Sequence, residues 1–407
     1  MKLLFLESNT SGTGPLFCRR ARARGVQPVL LASTRSRYRF AAEDDVAVME
    51  LDTSDPDRVR SVVAELQGRG ELFGITTSSE YFIAATARLA AEFGYAGPPP
   101  EAVELCRNKA RLTERLAAAG VPVPRSRTVS SAEEVRAAVA ELELPVVIKP
   151  VSGSGSMGVS RADDETAAED KVKAILAVRK NERGLPLPDE VLVQTCIVGR
   201  EYSVEAMGTT IIGVTSKHLG GPAGTFVEIG HDHPACGPDQ EIREVAEVAR
   251  RALEVVGFTY GPTHTEIKVG PEGAAVLEIN PRLAGGFIPE LVRLARRIDL
   301  IDATIGSALG DMSPLGDFAV RAHASIRFLL PPGDGVVRAV NGEEEAAKDP
   351  AIVEVLLYRR PGDDVALRGD FRDRIGHVIA VSNTPEAAVA SAERAISKLA
   401  VNLQGPP

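Results

Sequence analysis

The sequence predicts an α/β protein of three parts, and three observations carry that prediction. Short apolar runs alternate with helical segments through the first stretch, 1–100. The second, 101–310, holds β-type runs that carry Gly, Lys and Glu motifs. The third, 311–407, combines strand-like runs with one alanine-rich helix, a small α+β unit. A chain of 407 residues also exceeds a single ordinary core. Its 44% hydrophobic and 25% charged residues are those of a soluble globular protein. The net charge of −9 argues against a nucleic-acid or anionic-membrane surface. Cys18, Cys106, Cys196 and Cys236 have no paired spacing, so they read as reduced thiols of a cytoplasmic protein rather than a disulfide frame or zinc site. The apolar start Leu3–Leu6 is too short for a signal peptide, and no run approaches the length of a membrane span.

In the first part, Lys2–Leu6, Pro28–Leu31, Val46–Leu51 and Leu72–Thr76 read as strands separated by helices, which implies a parallel, Rossmann-like sheet. Asp52-Thr53-Ser54-Asp55 caps a helix running to about Leu66. The loop Ser8–Gly14 is either a phosphate site at a helix N-terminus or a tight turn, since the full dinucleotide fingerprint is missing. Thr76–Glu80 is a second polar loop at a strand's C-terminal end, where ligands of such sheets bind. Gly97-Pro98-Pro99-Pro100 closes this part.

The second part opens with a helix from Asn108-Lys109, ended by Ala119-Gly120 and the prolines after it. Ser130 and Ser131 precede an amphipathic helix with Glu133 and Glu134 in its first turn. The run Pro145–Pro150, which includes Lys149, then leads into Ser152-Gly153-Ser154-Gly155-Ser156-Met157-Gly158-Val159. The literal G-x-G-x-x-G there is not a dinucleotide fingerprint, because Val159-Ser160-Arg161 is extended and the next helix starts only after Asp164. A Walker loop is excluded too, since no Lys-Ser or Lys-Thr follows the last glycine. The pattern predicts a β-hairpin whose tip covers phosphates with backbone N–H groups, Lys149 adding a point charge. Val191–Ile197 leads into Gly199–Glu205. Taken alone, it is either a core strand or one wall of an adenine slot, with Glu201 placed to accept bonds from a ribose.

Glu266, in Thr263–Val269, and Glu278, in Ala274–Arg282, lie on two alternating runs joined by Gly270-Pro271-Glu272-Gly273, a hairpin signature. Alternation sets Glu278, Asn280 and Arg282 on one face, and the hairpin brings Glu266 to them. Two carboxylates and a carboxamide are hard oxygen ligands for a Mg²⁺ that phosphates also hold. A guanidinium beside them can grip a developing anion.

Lys109, Lys149 with its glycine loop, the Gln194–Ile197 hinge, Glu201, Glu266 and Glu278-x-Asn280-x-Arg282 occur in an order that resembles the ATP-grasp superfamily of carboxylate–amine ligases and carboxylases. The resemblance spans the chain. It implies a Rossmann-like pre-grasp domain, then an ATP-grasp domain of two α+β subdomains sandwiching ATP, with a lid over about 130–205, and a small C-terminal α+β domain. It implies ATP phosphates held by Lys109, Lys149 and the loop residues Ser154, Gly155 and Ser156. Adenine would lie against Gln194, Thr195 and Ile197, and the ribose against Glu201. Glu266, Glu278 and Asn280 would bind two Mg²⁺ ions, with Mn²⁺ as a substitute, and Arg282 would steady an acyl phosphate. One departure is Gln194, where many members carry glutamate facing the adenine amino group.

Lys217-His218-Leu219 followed by Thr225–Pro234 looks most like the L-amino-acid ligase branch, which joins two amino acids into a dipeptide. Similar members make peptide-like natural products. In that branch Glu228 would attract a substrate ammonium group. His231 would contact substrate or take a proton from the amine, unless it is a satisfied core histidine; His264 reads as structural. Gly285 and Gly286 would let backbone N–H groups approach a substrate carboxylate, or else form an ordinary helix-start turn. In the third part, Arg327–Leu330, Ile352–Leu357 and Ile375–Val381 read as strands, with a helix from about Thr384 to Leu399. Arg327 is either a substrate contact or a salt-bridge partner. The resemblance implies amino-acid substrates and a homodimer. Rival readings are a carboxylase of the biotin-dependent type, a nicotinamide dehydrogenase and a non-catalytic nucleotide-binding protein.

Overall fold

The computed structural model describes residues 1–10, 12–153 and 155–405. Its first sheet comprises β1 (Lys2–Leu6), β2 (Gln27–Ala32), β3 (Ala47–Glu50) and β4 (Leu72–Thr76), all parallel, in the order β3-β2-β1-β4. Leu3 to Leu6 are all buried, as befits a parallel strand covered on both faces. Asp55 caps the following helix Pro56–Gly68, accepting from the Asp57 and Arg58 backbones, which is worth about 1 kcal/mol. The loops after β1 and β4 leave the same end of the sheet and open toward the centre of the molecule.

A second sheet contains β5 (Ser126–Val129), β6 (Val146–Pro150), β7 (Ser160–Ala162) and β8 (Val191–Thr195), antiparallel, in the order β5-β8-β6-β7. The helices Val135–Leu142 and Glu165–Ala177 bury Val135, Val139, Ala168 and Val172 against it. The glycine segment is the tip of the β6–β7 hairpin. The first of these helices starts later than its serines suggest. The Glu134 carboxylate turns back to accept from the Ser130 N–H at 2.8 Å, so Glu133 and Glu134 precede the helix.

The remaining strands are β9 (Arg200–Met207), β10 (Thr210–Gly220), β11 (Val227–His233), β12 (Pro262–Gly270), β13 (Gly273–Asn280), β14 (His323–Leu329), β15 (Gly335–Asn341), β16 (Ile352–Leu357), β17 (Asp364–Val365), β18 (Gly376–Ser382) and β19 (Ala400–Gln404). Eight of them make one antiparallel sheet in the order β13-β12-β9-β10-β11-β14-β18-β16. Three strands from the end of the chain therefore extend the sheet that carries the carboxylate hairpin. The others, β17-β15-β19, form a small satellite sheet. Helix Asp239–Val256 packs its apolar stripe on one face of β9, β10, β12 and β13, sharing a core with Tyr202, Val204, Ile267 and Val276. Gly257 ends this helix in the left-handed region at φ 71°. With that face filled, the alternate residues of β9 and β12 face the opposite way, into a cleft.

Two β-bulges set what the cleft receives. In β13 the partners of Glu266 and Ile267 are Glu278 and Val276, so Leu277 is the extra residue. In β11 the partners of His218 and Leu219 are Gly230 and Glu228, so Ile229 is extra. The second bulge brings Glu228 round to the face of His231, from which plain alternation would separate it.

His233, at the end of β11, is buried, and its Nε2 accepts from Arg296 Nε at 3.0 Å while Nδ1 pairs with Thr215 Oγ1 at 2.9 Å. Burial first, and the Arg296 charge second, push it down to about 3. The unfolded chain takes up this proton near the ordinary histidine value and the fold refuses it. The associated stability is present above about pH 6.5 and is lost as pH falls toward 3. Urea midpoints at pH 7, 6 and 5 are expected to fall with a slope that His233→Gln reduces by up to about 1.4 kcal/mol per pH unit.

Candidate active site

A cavity of about 940 Å³ lies between the first sheet, the second sheet with its glycine hairpin, and the large sheet. The strand-end loops contribute Asn9, Thr10, Thr76, Ser78 and Glu80 to its wall. The second sheet and its loops contribute Lys149, Gly153, Gly155, Ser156, Gln194, Thr195 and Ile197, while the large sheet contributes Glu201, Lys217, Glu228, Glu266 and Glu278. Ser154 falls outside the described residues. The end of the chain supplies Phe371 and Arg374.

At one end, Lys109 sits on the first residue of a helix capped by Asn108, whose side chain accepts from the Arg111 N–H. Its Nζ lies 2.9 Å from Glu278 Oε2 and donates to the Gly153 carbonyl at 2.9 Å, tying the base of the glycine loop to the hairpin. Lys149 Nζ donates at 3.3 Å to the carbonyl of Leu277, the bulged residue. Burial pushes Lys149 down to about 8, and the Glu278 charge only partly offsets it. An ammonium disfavoured by burial in this way gains from an arriving phosphate.

Glu266 and Glu278 are direct cross-strand partners, and Asn280 Nδ2 donates to Glu278 Oε1 at 2.7 Å. Burial opposes ionisation of Glu278, but Lys109 and Lys149 hold it well below the usual carboxylate range. Glu266 goes the other way, pushed up to about 8 by burial with Glu278, Glu201 and Glu228 adding to it. Two facing carboxylates, one of them resisting ionisation, fit a site short of positive charge. Among the described residues no cluster of three or more His, Cys, Asp and Glu is arranged around a metal. The donors here, two carboxylates and a carboxamide, are the short set Mg²⁺ accepts when phosphates complete its shell. Arg282 lies just past the end of β13, not on the strand. A turn closed by its own N–H on the Asn280 carbonyl swings it into the cavity wall, where Glu80 accepts from Nε at 2.8 Å.

Lys217 occupies the middle of the site. Its side chain is 3% exposed, and Nζ lies 2.8 Å from Glu201, 3.0 Å from Glu228 and 3.0 Å from Glu266. Burial disfavours this charge, but the three carboxylates outweigh it and raise the ammonium well above the usual lysine range. Register explains the arrangement: Lys217 of β10, Glu201 of β9 and Lys268 of β12 are directly opposite one another across three strands.

Comparison with known proteins places this geometry. Residues 142–290 match the family model described as an ATP-grasp domain, and residues 327–404 match that of L-amino acid ligase C-terminal domain 2. An uncharacterized protein of Sinorhizobium fredii, y4rH, is 34% identical over 98% of this chain and 82% of its own length. The chain belongs to the ATP-grasp superfamily, in its L-amino-acid ligase branch. The alanine–anticapsin ligase of Bacillus subtilis is 26% identical to this ligase over 63% of the chain, which spans 58% of that relative's length. The crystal structure of L-amino acid ligase from Bacillus licheniformis superposes with a TM-score of 0.85 at 20% identity, covering 99% of both chains, and so shows the same fold.

Two of the residues expected to contact substrate, Arg327 and His231, lie off the cavity wall. Arg327 does not line the cavity. On β14 it lies opposite Gly230, its side chain crosses that glycine, and Nη1 pairs with Asp232 Oδ1 at 2.8 Å. It is a buried ion pair of the sheet, the salt-bridge alternative of the two. His231 is fully buried behind the wall, with Nδ1 on the Gly286 carbonyl at 2.9 Å and Nε2 facing Glu228 at 3.2 Å. Glu228 faces the cavity but already lies between Lys217 and Arg374, whose Nη2 donates to it at 2.5 Å. Gly285 and Gly286 do line the cavity. Gly286 is left-handed at φ +58°, and a Cβ there would come within 2.2 Å of His231 Cε1. Glu80, Lys217 and Arg374 are site residues that the sequence reading left without a role. Strand pairing of β9 with β10 and β12 was the signal for Lys217, whereas nothing local marks Arg374.

Lys217→Met strands one buried carboxylate, Glu201, and two partly buried ones, Glu228 and Glu266. It is expected to cost about 3–5 kcal/mol of folding stability, read as a lowered urea midpoint. A loss under 1 kcal/mol would contradict the ion-pair geometry.

Proposed function

We propose that this ligase joins two amino acids, or an amino acid and an amine, with cleavage of ATP to ADP and phosphate. The observation that carries the reading is the cross-strand pair Glu266–Glu278 with Lys109 and Lys149 beside it, beneath a glycine hairpin and inside one cavity. Lys109, Lys149 and the loop residues Ser154, Gly155 and Ser156 would hold the phosphates. Gln194, Thr195 and Ile197 would take the adenine, and Glu201 the ribose. Glu266, Glu278 and Asn280 would hold two Mg²⁺ ions, or Mn²⁺ in their place, which supply charge neutralisation at the phosphates.

One substrate carboxylate oxygen attacks the γ-phosphorus and ADP leaves, giving an acyl phosphate. The amine nitrogen of the second substrate then attacks the acyl carbon, the C–O bond to phosphate breaks, and the nitrogen loses a proton as the amide forms. Phosphoryl transfer of this kind needs positioning and charge stabilisation more than a protein nucleophile. In this reading Lys109 and Lys149 would sit at the phosphates, and Arg282, held by Glu80, would steady the acyl phosphate. Gly285 and Gly286 would border the substrate carboxylate.

The same reading divides the chain near residues 100 and 310, with the lid at about 130–205. It makes the protein a cytoplasmic homodimer that serves peptide natural-product or antibiotic biosynthesis. Four free cysteines, and the lack among the described residues of any helix long and apolar enough to cross a membrane, agree with that setting. The dimer follows from family likeness and is read by size-exclusion chromatography.

Incubating the protein with Mg·ATP and amino acids in pairs is expected to release phosphate for particular pairs and yield a product of summed mass less one water. Phosphate release with bicarbonate alone would point to the carboxylase reading instead. Glu278→Ala is expected to lower product formation at least about 100-fold, in the range for removing transition-state charge stabilisation. Unchanged turnover in that variant would overturn the proposal.

A further inference from the structure

Arg374 enters the cavity from the end of the chain, on the segment between the short helix Phe371–Asp373 and β18. Two of its three guanidinium nitrogens dock it. Nε donates to the Glu228 carbonyl at 2.9 Å and Nη2 to Glu228 Oε2 at 2.5 Å. The guanidinium carbon lies 4.1 Å from the centroid of the Phe328 ring, which supports the plane from one face. Among the described residues no hydrogen bond engages Nη1 of this side chain, which is only 10% exposed. Nη1 lies beside Gly286, 3.4 Å from where a Cβ would stand. A rigid, docked guanidinium thus offers one N–H₂ edge next to the Gly285-Gly286 backbone.

Glu228 separates this edge from the phosphate end of the cavity. Its Oε1 faces Lys217, which leads on to Glu266, while its Oε2 faces Arg374. An anion held by Nη1 is therefore not the carboxylate being activated beside Lys109, Lys149 and Arg282. Ligation of two amino acids has a second carboxylate to place, the one on the amine-donating substrate, which survives unreacted into the product. We propose that Arg374 binds that free α-carboxylate through Nη1 and so selects an amino acid over a simple amine as the nitrogen donor. This rests on the ligase reading above and narrows its substrate class. Arg374 is then a specificity-determining residue contributed by the stretch that matches the C-terminal family model.

The test compares two nitrogen-donor pools, the twenty L-amino acids and their α-carboxamides, with wild type, Arg374→Ala and Arg374→Lys; products are identified by mass. Comparing the amino-acid-to-amide product ratio between proteins cancels the differing reactivity of the two pools. The ratio is expected to fall roughly 30-fold in Arg374→Ala, the scale of a hydrogen bond to a charged group. A smaller fall is expected in Arg374→Lys, whose single nitrogen cannot serve Glu228 and a substrate together. A general disturbance around Glu228 would depress both pools alike. A ratio within threefold of wild type in both variants overturns the assignment. A second arm needs no turnover: with ADP and Mg²⁺ present, the amino-acid pool is expected to raise the Tm of wild type more than that of Arg374→Ala, in which only the site of the activated carboxylate fills, and the amide pool is expected to shift both proteins alike. An equal rise in both proteins overturns the inference. Absence of any ligation product from wild type with either pool overturns the ligase reading alone, and the binding arm still decides Arg374.

Discussion

The site depends on one buried cation. Glu201, Glu228 and Glu266 come from three different strands and converge on Lys217 at 2.8–3.0 Å. Three carboxylates drawn onto one ammonium also repel one another. A compact cluster of carboxylates in a low-dielectric cleft is tolerable only around a central positive charge. Lys217 supplies it for Glu201, Glu228 and Glu266, whereas Lys109 and Lys149 stand at Glu278, the other member of the hairpin pair. That asymmetry suits the cleft to a ligand that is itself anionic but arrives with divalent cations. Stability and ligand choice are two results of the same charge arrangement.

Two single-residue irregularities place these groups. Without the bulge at Leu277, β13 would not present a carbonyl to Lys149, and the lid would lose a tie to the hairpin. Without the one at Ile229, Glu228 would point away from His231 and from the cavity. Bulges re-aim side chains at modest cost because the ladder resumes on either side. Here they convert a regular sheet into one whose cleft face carries more charge than alternation alone allows.

The fold was legible in the sequence wherever a local pattern decides the structure. The first strands, the Asp55 and Asn108 caps, the β6–β7 hairpin and the Glu266–Glu278 register all follow from periodicity, turn residues and capping chemistry. Within the site, the residues lying along one hairpin or one loop were visible for the same reason. What stayed hidden depends on non-local pairing. Arg327 has the look of a ligand contact until β14 is laid against β11, where Gly230 makes room for it over Asp232. Arg374 lies in an undistinguished loop and acquires its position only because β18 joins the large sheet through β14. Lys217 was in view as part of a motif, but its burial among acids is a property of three strands at once.

The continuity of the large sheet bears on how such enzymes can diversify. Since β14, β18 and β16 complete the sheet that begins at β13, the end of the chain is bonded to the catalytic half by a backbone ladder rather than attached as a separable cassette. Recombination between relatives that exchanged only this segment would have to preserve the pairing of Gly230 with Arg327 and of His231 with Ile326. Evolution of new substrate preferences is thereby channelled into loops that hang from the sheet, such as 371–374, where residues can change without the ladder being rebuilt.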